Sequence, residues 1–398
     1  MHILYIHQYF KIPSEPGGTR SYWVAKRFIE EGHKVTMLTT SSSIQEKIVH
    51  KTIDGVEVIY LKVPYNQNMS IMARVKSFVN FMIKSTRLAL KVKNVDLALA
   101  TSTPLTVGFP ALVLKKLRKI PFIFEVRDLW PEVPIQMGGL NNKLLQKLAV
   151  SFEKSIYKNA KHIVALSPGM AAGVLKYEPK EKVSMIPNMA KIDAFWPREK
   201  NEQLQTELGL RTDSFKLIHF GALGIANGAM SIIRGAEELK EDTSIEFIFI
   251  GGGSTEEELK NYCQKHQLKQ VHFLGRFPME ETSEIVNLCD VSMVSFKDLP
   301  ILYTNSPNKL FDSLSAGKPI IVNSAGWTKD MVEKHNCGFY VNPNVAQELV
   351  DKILLLKRNP EIVKEMGRKS RTLAETVYDK SILCKQFVET VENTYKNL

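Results

Sequence analysis

The 398-residue sequence predicts an α/β protein built as two successive doubly wound βα units. Three observations predict it. Short apolar runs alternate with longer stretches of helical period, the pattern of parallel sheets covered by helices. Glycine-rich turns follow several of the runs, where a strand hands over to a helix. Midway, a stretch with prolines and a charge run interrupts the alternation, which then restarts. A chain this long exceeds one ordinary core, so two domains are expected.

His2–His7 (HILYIH) reads as the first strand. The loop Gln8 to Gly18 follows, with Pro13, Pro16, Gly17 and Gly18. A helix begins near Thr19 and stops at Glu31-Gly32, and Lys34–Thr39 is the next strand. The turn is not GxGxxG, so a dinucleotide fingerprint is absent. Gly17 and Gly18 at a helix start either let the backbone approach a phosphate or sugar, or simply permit a tight turn.

Val56–Leu61 is a further strand, antiparallel or at an edge. Ser70 to Lys93 has a helical pattern, with Ile71, Val75, Phe78 and Met82 on an apolar face and Lys76, Lys84, Arg87 and Lys91 elsewhere. Such a helix either packs on a sheet or lies on an anionic membrane with its basic face among headgroups. Its apolar residues do not form the run of about 18–20 that spans a bilayer.

Asp96–Ala100 is the fourth strand-like run, followed by the polar loop Thr101 to Thr106. Pro121–Val126 is a continuous apolar strand ending in Arg127-Asp128-Leu129-Trp130-Pro131-Glu132. Charges directly after a buried parallel strand stand where α/β sheets hold ligands. Asp128 is a candidate for ligand positioning there, with capping as the competing role, and Glu125 and Glu132 flank it. A helix Asn142–Asn159, a strand His162–Leu166 and a helix start at Ser167-Pro168 complete the first half. Val183–Ile186 leads into Pro187-Asn188, then Phe195-Trp196-Pro197 and the polar run Arg198 to Gln205. This sets a first domain at 1–195 and a second at 196–375, with 376–398 as a C-terminal helix.

In the second half, strand Phe215–Phe220 is followed by Gly221, Gly224 and Gly228. Ile245–Ile250 runs into Gly251-Gly252-Gly253, and Val271–Leu274 ends at Gly275-Arg276-Phe277-Pro278. Val291–Phe296 precedes the segment Thr304–Pro319, and Pro319–Asn323 and Phe339–Val341 supply the last strands. From Gln347 onward the chain reads as helices.

The segment Thr304–Pro319 is a short helix with its start and stop visible. Ser306 is a natural N-cap and Pro307 suits the first turn. Gly317 suits the left-handed C-terminal position, and Pro319 forbids continuation. Leu310 and Leu314 share one face, Lys309 and Asp312 another. Free N–H groups near Ser306 and Asn308, a lysine and a carboxylate suit a diphosphate with a ribose beside it. The competing reading is a buried helix with solvated polar residues.

The formal net charge of +11 points to an anionic partner: nucleic acid, a membrane surface or a phosphorylated substrate. No helix-turn-helix, zinc finger or aromatic RNA-binding motif is present, which makes nucleic acid the weakest of these. Cys263, Cys289, Cys337 and Cys384 are scattered and form no CxxC pair, as expected in a reducing cytoplasm. Met1-His2-Ile3 enters a strand directly, so no secretory leader is expected. No Asp-x-Asp or His/Cys cluster suggests a metal.

Taken in order, these motifs resemble the retaining GT-B-fold glycosyltransferases of family 4 (glycosyl transferases group 1), in the branch of WbuB-like amino-sugar transferases. The resemblance covers nearly the whole chain. It rests on Pro16-Gly17-Gly18-Thr19-Arg20, Arg127-Asp128-Leu129-Trp130-Pro131, Ile186-Pro187-Asn188, Phe220-Gly221-Ala222-Leu223-Gly224, Gly251-Gly252-Gly253, Phe273-Leu274-Gly275 and Ser306 to Pro319.

The resemblance implies two Rossmann-like domains facing across a cleft, with the C-terminal helix returning to the N-terminal domain. It implies a UDP-sugar as co-substrate with no further cofactor, held mainly by the C-terminal domain, and an acceptor on the N-terminal one. The acceptor it implies is a polyprenyl-diphosphate-linked glycan in O-antigen or capsule assembly, at the anionic inner face of the cytoplasmic membrane. Catalytic roles fall on Lys309, Arg127 and Asp128. Donor-binding roles fall on Gly17, Gly18, Gly221, Gly224, Gly252, Arg276, Phe277, Thr304, Ser306, Asn308, Lys309 and Asp312.

Three departures from the family pattern stand out. In the Glu-x7-Glu motif, Asp312 matches the second, ribose-binding acid, but Thr304 replaces the first, which implies a deoxygenated or N-acetylated sugar. Ala222 and Asn227 stand where relatives carry a basic pair for the diphosphate. Arg127 stands where many have histidine, and it stays protonated at any working pH, so it is no base. Competing functions are a nucleotide-sugar epimerase of the same architecture and a non-catalytic sugar-nucleotide-binding partner.

Overall fold

The alternation of strand and helix runs through the whole chain. The computed structural model describes residues 1–15, 17–65 and 69–397. They fall into two units, one made of Met1–Pro13, Gly17–Pro187 and Ser381–Leu398, the other chiefly of Asn188–Lys380. Pro16 of the first loop motif lies outside the described residues, as does the side chain of Ile71.

The first unit runs β1 (His2–Ile6), α1 (Arg20–Glu30), β2 (Lys34–Ser41), β3 (Ile48–Ile53), β4 (Val56–Lys62), α2 (Ile71–Ala89), β5 (Leu97–Thr101), α3 (Gly108–Arg118), β6 (Phe122–Val126), α4 (Glu132–Gln136), α5 (Lys143–Asn159), β7 (His162–Ala165), α6 (Pro168–Leu175) and β8 (Val183–Met185). Its sheet has the order β3-β4-β2-β1-β5-β6-β7-β8. Strands β1, β5 and β6 are buried along their whole length, so helices cover both faces, as their uninterrupted apolar runs require. The strand order reverses between β1 and β5. The loops leaving β1, β5 and β6 therefore gather at one crevice.

Two local expectations are corrected. β4 is neither antiparallel to the main sheet nor at its edge: it pairs in parallel with β2. The edge is β3, antiparallel to β4, and its mostly exposed residues carry no buried pattern to read. In α2 the buried residues are Ser77, Phe81, Ser85 and Ala89, while Val75 of the expected apolar face is 47% exposed. The small residues let the helix pack closely, and the Ser85 hydroxyl donates to the Phe81 carbonyl at 2.7 Å, so its burial costs little. Among the described residues no helix is long and apolar enough to cross a membrane.

The second unit runs α7 (Glu202–Glu207), β9 (Phe215–Phe220), α8 (Met230–Glu238), β10 (Ile245–Ile250), α9 (Glu256–Lys265), β11 (Val271–Gly275), α10 (Met279–Leu288), β12 (Val291–Val294), α11 (Asn308–Ser315), β13 (Ile320–Val322), α12 (Trp327–Lys334), β14 (Gly338–Tyr340), α13 (Ala346–Arg358) and α14 (Pro360–Leu373). Its sheet, β11-β10-β9-β12-β13-β14, is parallel throughout. The polar run after Trp196 is partly helical, because the Asn201 side chain caps α7 by accepting from the Leu204 N–H at 3.0 Å. Here the order reverses between β9 and β12, so the glycine loops of β9, β10 and β11 lie side by side.

The last helix, α15 (Lys380–Lys396), packs in the first unit against α1. Phe387 meets Phe28 edge-on at 6.4 Å, and Glu392 lies 2.8 Å from His33 Nε2. Together the two α/β sheets, parallel but for β3, and this returning helix make the GT-B fold.

Candidate active site

α11 begins at Asn308 with Pro307 in the capping position and no side-chain cap. Ser306 does not cap it, contrary to the sequence pattern. Its hydroxyl instead accepts from the Asn188 N–H at 3.1 Å, and its carbonyl accepts from the Asn188 amide. The C-terminal end is as expected: Gly317 has φ +62°. Leu310 and Leu314 are fully buried, and so, nearly, are Lys309 and Asp312.

Lys309 Nζ donates to His219 Nε2 at 3.2 Å and to Asn227 Oδ1 at 3.4 Å. His219, the penultimate residue of β9, has Nδ1 at 3.3 Å from the Met293 carbonyl. An N–H donated there leaves Nε2 as the acceptor that Lys309 needs. Burial, then the Lys309 charge, hold His219 well below its ordinary pKa, so the ring is neutral. Burial alone brings Lys309 down to about 7. Among the described residues no carboxylate pairs with it. A nearby anion would favour the charged form of such a buried amine.

Two glycines make room for it. Gly221 has φ +114°, and a Cβ there would lie 3.4 Å from Lys309 Cε. Gly251 has φ +127°, and a Cβ would come within 1.8 Å of the Gly221 carbonyl oxygen, so only glycine allows the β9 and β10 loops to stack. Next along the edge, Gly252 lies under Arg276, whose Nε a Cβ would approach to 2.8 Å. Gly224 leads the short turn that carries Asn227.

Asp312 sits one turn beyond Lys309. Its Oδ1 is 2.6 Å from Lys191 Nζ, and both side chains are buried. Burial pushes the Asp312 carboxyl up and the lysine opposes it. Thr304 ends a short turn, its hydroxyl donating to the Ile301 carbonyl at 2.7 Å. Phe277 packs against the core beside Phe195 and Ile285. Lys309, Gly221, Gly224 and, through Gly251, Gly252 and Arg276 thus form one contiguous edge. Asp312 stands one turn away with Lys191, Ser306 is tied to Asn188, and Asn308 opens the helix.

Gly17 and Gly18 belong to the first unit and lead into α1. Arg20, the first residue of α1, is buried, and its Nε donates to Glu125 Oε1 at 2.7 Å. Its other nitrogens donate to the Ile186 and Pro187 carbonyls, and Thr101 donates to the second Glu125 oxygen. Glu125 is therefore an internal counter-ion, and Glu132 lies on α4 accepting from Gln136.

The crevice of this unit holds His7, Arg127 and Asp128. Arg127 Nη1 lies 3.2 Å from His7 Nε2. Burial and the Arg127 charge keep His7 neutral, well below its usual pKa. Thr103 donates to Asp128 Oδ2 at 2.7 Å. Burial raises the Asp128 pKa, with the Thr103 hydrogen bond and Arg127 acting against the rise.

Three partners escaped the sequence reading. His219 and His7 each end an apolar strand at a switch point, a signal that could have found them. Lys191 lies in irregular chain, and no local pattern marks it.

Residues 200–373 match the family of glycosyl transferases group 1, and residues 17–189 match the glycosyl transferase 4-like domain. The alpha-galactosylglucosyldiacylglycerol synthase of Streptococcus pneumoniae is 26% identical over 241 residues, which cover 58% of this chain and 60% of the synthase. The probable glycosyltransferase WbjE of Pseudomonas aeruginosa is 22% identical over 340 residues, 82% of each chain. Sucrose-phosphate synthase from Thermosynechococcus elongatus superposes with a TM-score of 0.79 at 15% identity, covering 100% of both chains. Anabaena HepE in complex with UDP and glucose gives 0.72 at 17% identity, covering 98% of this chain and 99% of its own. With one family match on each half, the chain is a group 1 glycosyl transferase carrying a glycosyl transferase 4-like N-terminal domain.

Proposed function

We propose that the protein moves a sugar, with retention, from a UDP-linked donor on the second unit to a polyprenyl-diphosphate-linked glycan on the first, in bacterial surface polysaccharide assembly. The observation that carries the reading is Lys309: a buried amine among neutral partners beside the glycine loops. A diphosphate supplies the charge that such a site lacks. Asp312 offers its carboxylate to ribose hydroxyls, with Lys191 opposing the rise that burial imposes on its pKa. Thr304 in place of an acid favours a deoxygenated or N-acetylated hexose, in keeping with the WbuB-like branch. HepE bound to UDP and glucose supports the uridine nucleotide.

Among the described residues no pair of carboxylates suits a double displacement. On the route proposed, the bond from sugar C1 to the diphosphate oxygen breaks and the acceptor oxygen bonds C1 on the same face. The departing diphosphate oxygen takes the acceptor proton. Catalysis is then positioning and charge stabilisation, with Lys309 on the leaving diphosphate. Arg127 serves as a fixed cation and Asp128 positions the acceptor.

The membrane surface belongs to the same reading. Helices α2, α3 and α5 are neighbours and carry eleven basic residues, among them Lys76, Arg87, Lys116 and Lys147, against Glu153 alone. Met72, Leu117, Leu144 and Leu148 stand exposed among them. Basic side chains with apolar ones between them suit the anionic inner face of the cytoplasmic membrane.

The test is to incubate the purified protein with UDP-sugars and a polyprenyl-diphosphate-linked acceptor. Transfer of one sugar with the anomeric configuration kept is expected. Interconversion of UDP-sugars without acceptor, or binding without turnover, overturns the reading.

A further inference from the structure

Four aromatic rings form a line beside the Arg127 crevice. Tyr9, two residues after His7, lies 4.6 Å from Tyr65 between ring centres. Tyr65 lies 6.1 Å from Phe78 on α2, and Phe78 meets Trp130, two residues after Asp128, edge-on at 6.0 Å. Both ends of the line thus start from the loops that carry the crevice's polar groups.

The line also has an outward continuation. Met72, Val75, Val79 and Ile83 recur every three or four residues along α2 and are 77%, 47%, 39% and 42% exposed. Val75 and Phe78, three apart, are neighbours on the helix. An apolar path therefore runs from the open face of α2 past Phe78 to the crevice. At its inner end stands a charge: Arg127 has a neutral His7 at 3.2 Å and, among the described residues, no ion-pair partner.

We propose that this aromatic line is a chain subsite, which takes the isoprenoid chain of a diphosphate-linked acceptor while Arg127 faces the anionic head. The inference rests on the lipid-linked acceptor proposed above. Charge complementarity selects the occupant, because a guanidinium that makes no salt bridge among the described residues, beside an apolar path, matches an anionic amphiphile. A sugar ring laid along the path would need hydrogen-bond partners at its rim, and Val75, Phe78 and Val79 offer none. A branched hydrocarbon needs none, and burying it against these rings is favourable by its area.

The experiment compares two acceptors with the same sugar-diphosphate head, one on a long isoprenyl chain and one on a two-carbon stub. In the wild type, kcat/KM is expected to favour the long chain at least tenfold. Phe78→Ala, and Phe78→Leu where alanine fails to fold, are expected to shrink that ratio about tenfold. An unchanged ratio overturns the subsite. A second measurement does not depend on turnover: calorimetry with farnesyl diphosphate and with inorganic diphosphate. Tighter binding of the farnesyl compound, lost in Phe78→Ala, supports the subsite even when no transfer is seen, a result that would sink only the transferase reading. Equal binding of the two ligands overturns the subsite.

Discussion

Lys191, from irregular chain, forms a buried ion pair with Asp312, on the helix that also carries Lys309, with Nζ 2.6 Å from Oδ1. The acid matched to ribose binding is therefore already half of an ion pair. Asp312→Asn leaves an unpaired buried cation and is expected to destabilise the second unit by about 3–5 kcal/mol. Replacing both partners, as Lys191→Met with Asp312→Leu, should restore much of that loss. Urea denaturation of the wild type and the two variants checks it. Both acid variants should also bind UDP more weakly.

Lys309→Ala should lower turnover by roughly two to three powers of ten, the effect of losing one transition-state charge contact. Steady-state kinetics with donor saturating decide the matter, and near-normal kcat would remove Lys309 from catalysis.

The pH behaviour follows from the same amine. Burial brings the Lys309 pKa down to about 7, and a bound diphosphate favours the charged form, so the pKa rises on binding. Between the two values the complex holds a proton that the free protein lacks. UDP binding at pH 8 should therefore take up a proton, and at pH 6, where Lys309 is already charged, uptake should fade. Calorimetry in buffers of different ionisation enthalpy reads it, and Lys309→Met should abolish it.

Arg20 and Glu125 predict a stability effect in the first unit. Both are fully buried, at 2.7 Å, and the Ile186 and Pro187 carbonyls depend on the same guanidinium. Arg20→Ala strands a buried carboxylate and should cost about 3–5 kcal/mol. Thermal unfolding checks it, with Arg20→Lys expected to recover only part, since an ammonium lacks the fork that reaches three acceptors.

Vesicle co-sedimentation tests the basic face. Neutralising Lys76, Lys84, Arg87 and Lys91 should reduce binding to anionic vesicles and flatten its salt dependence. Unchanged binding would leave α2 as packing alone.

Much of the fold was legible because its signals are local. Buried parallel strands such as Phe122–Val126 must be apolar throughout, and Ser167-Pro168 caps α6 as its pattern says, with Met170 N–H donating to the serine at 3.0 Å. Where a side chain faces water on one side, as in β3, the pattern fades and the strand was missed. On α2 the residues that go inside beside Phe81 are two serines and an alanine, which periodicity of large apolar residues does not find.

The sequence by itself determined the two βα series, the glycine loops after β9 and β10, and the helix bearing Lys309 and Asp312. Only the tertiary structure decided what those two residues face. His219 is 90 positions from Lys309 and Lys191 is 121 from Asp312 in the numbering, and local spacing cannot report a partner brought in by a reversal of strand order. Nor can it report burial, which turns an ordinary lysine into one that titrates near neutrality and a solvated carboxylate into half of an ion pair. Desolvation depends on everything packed around a group, and that is settled only when the chain has folded.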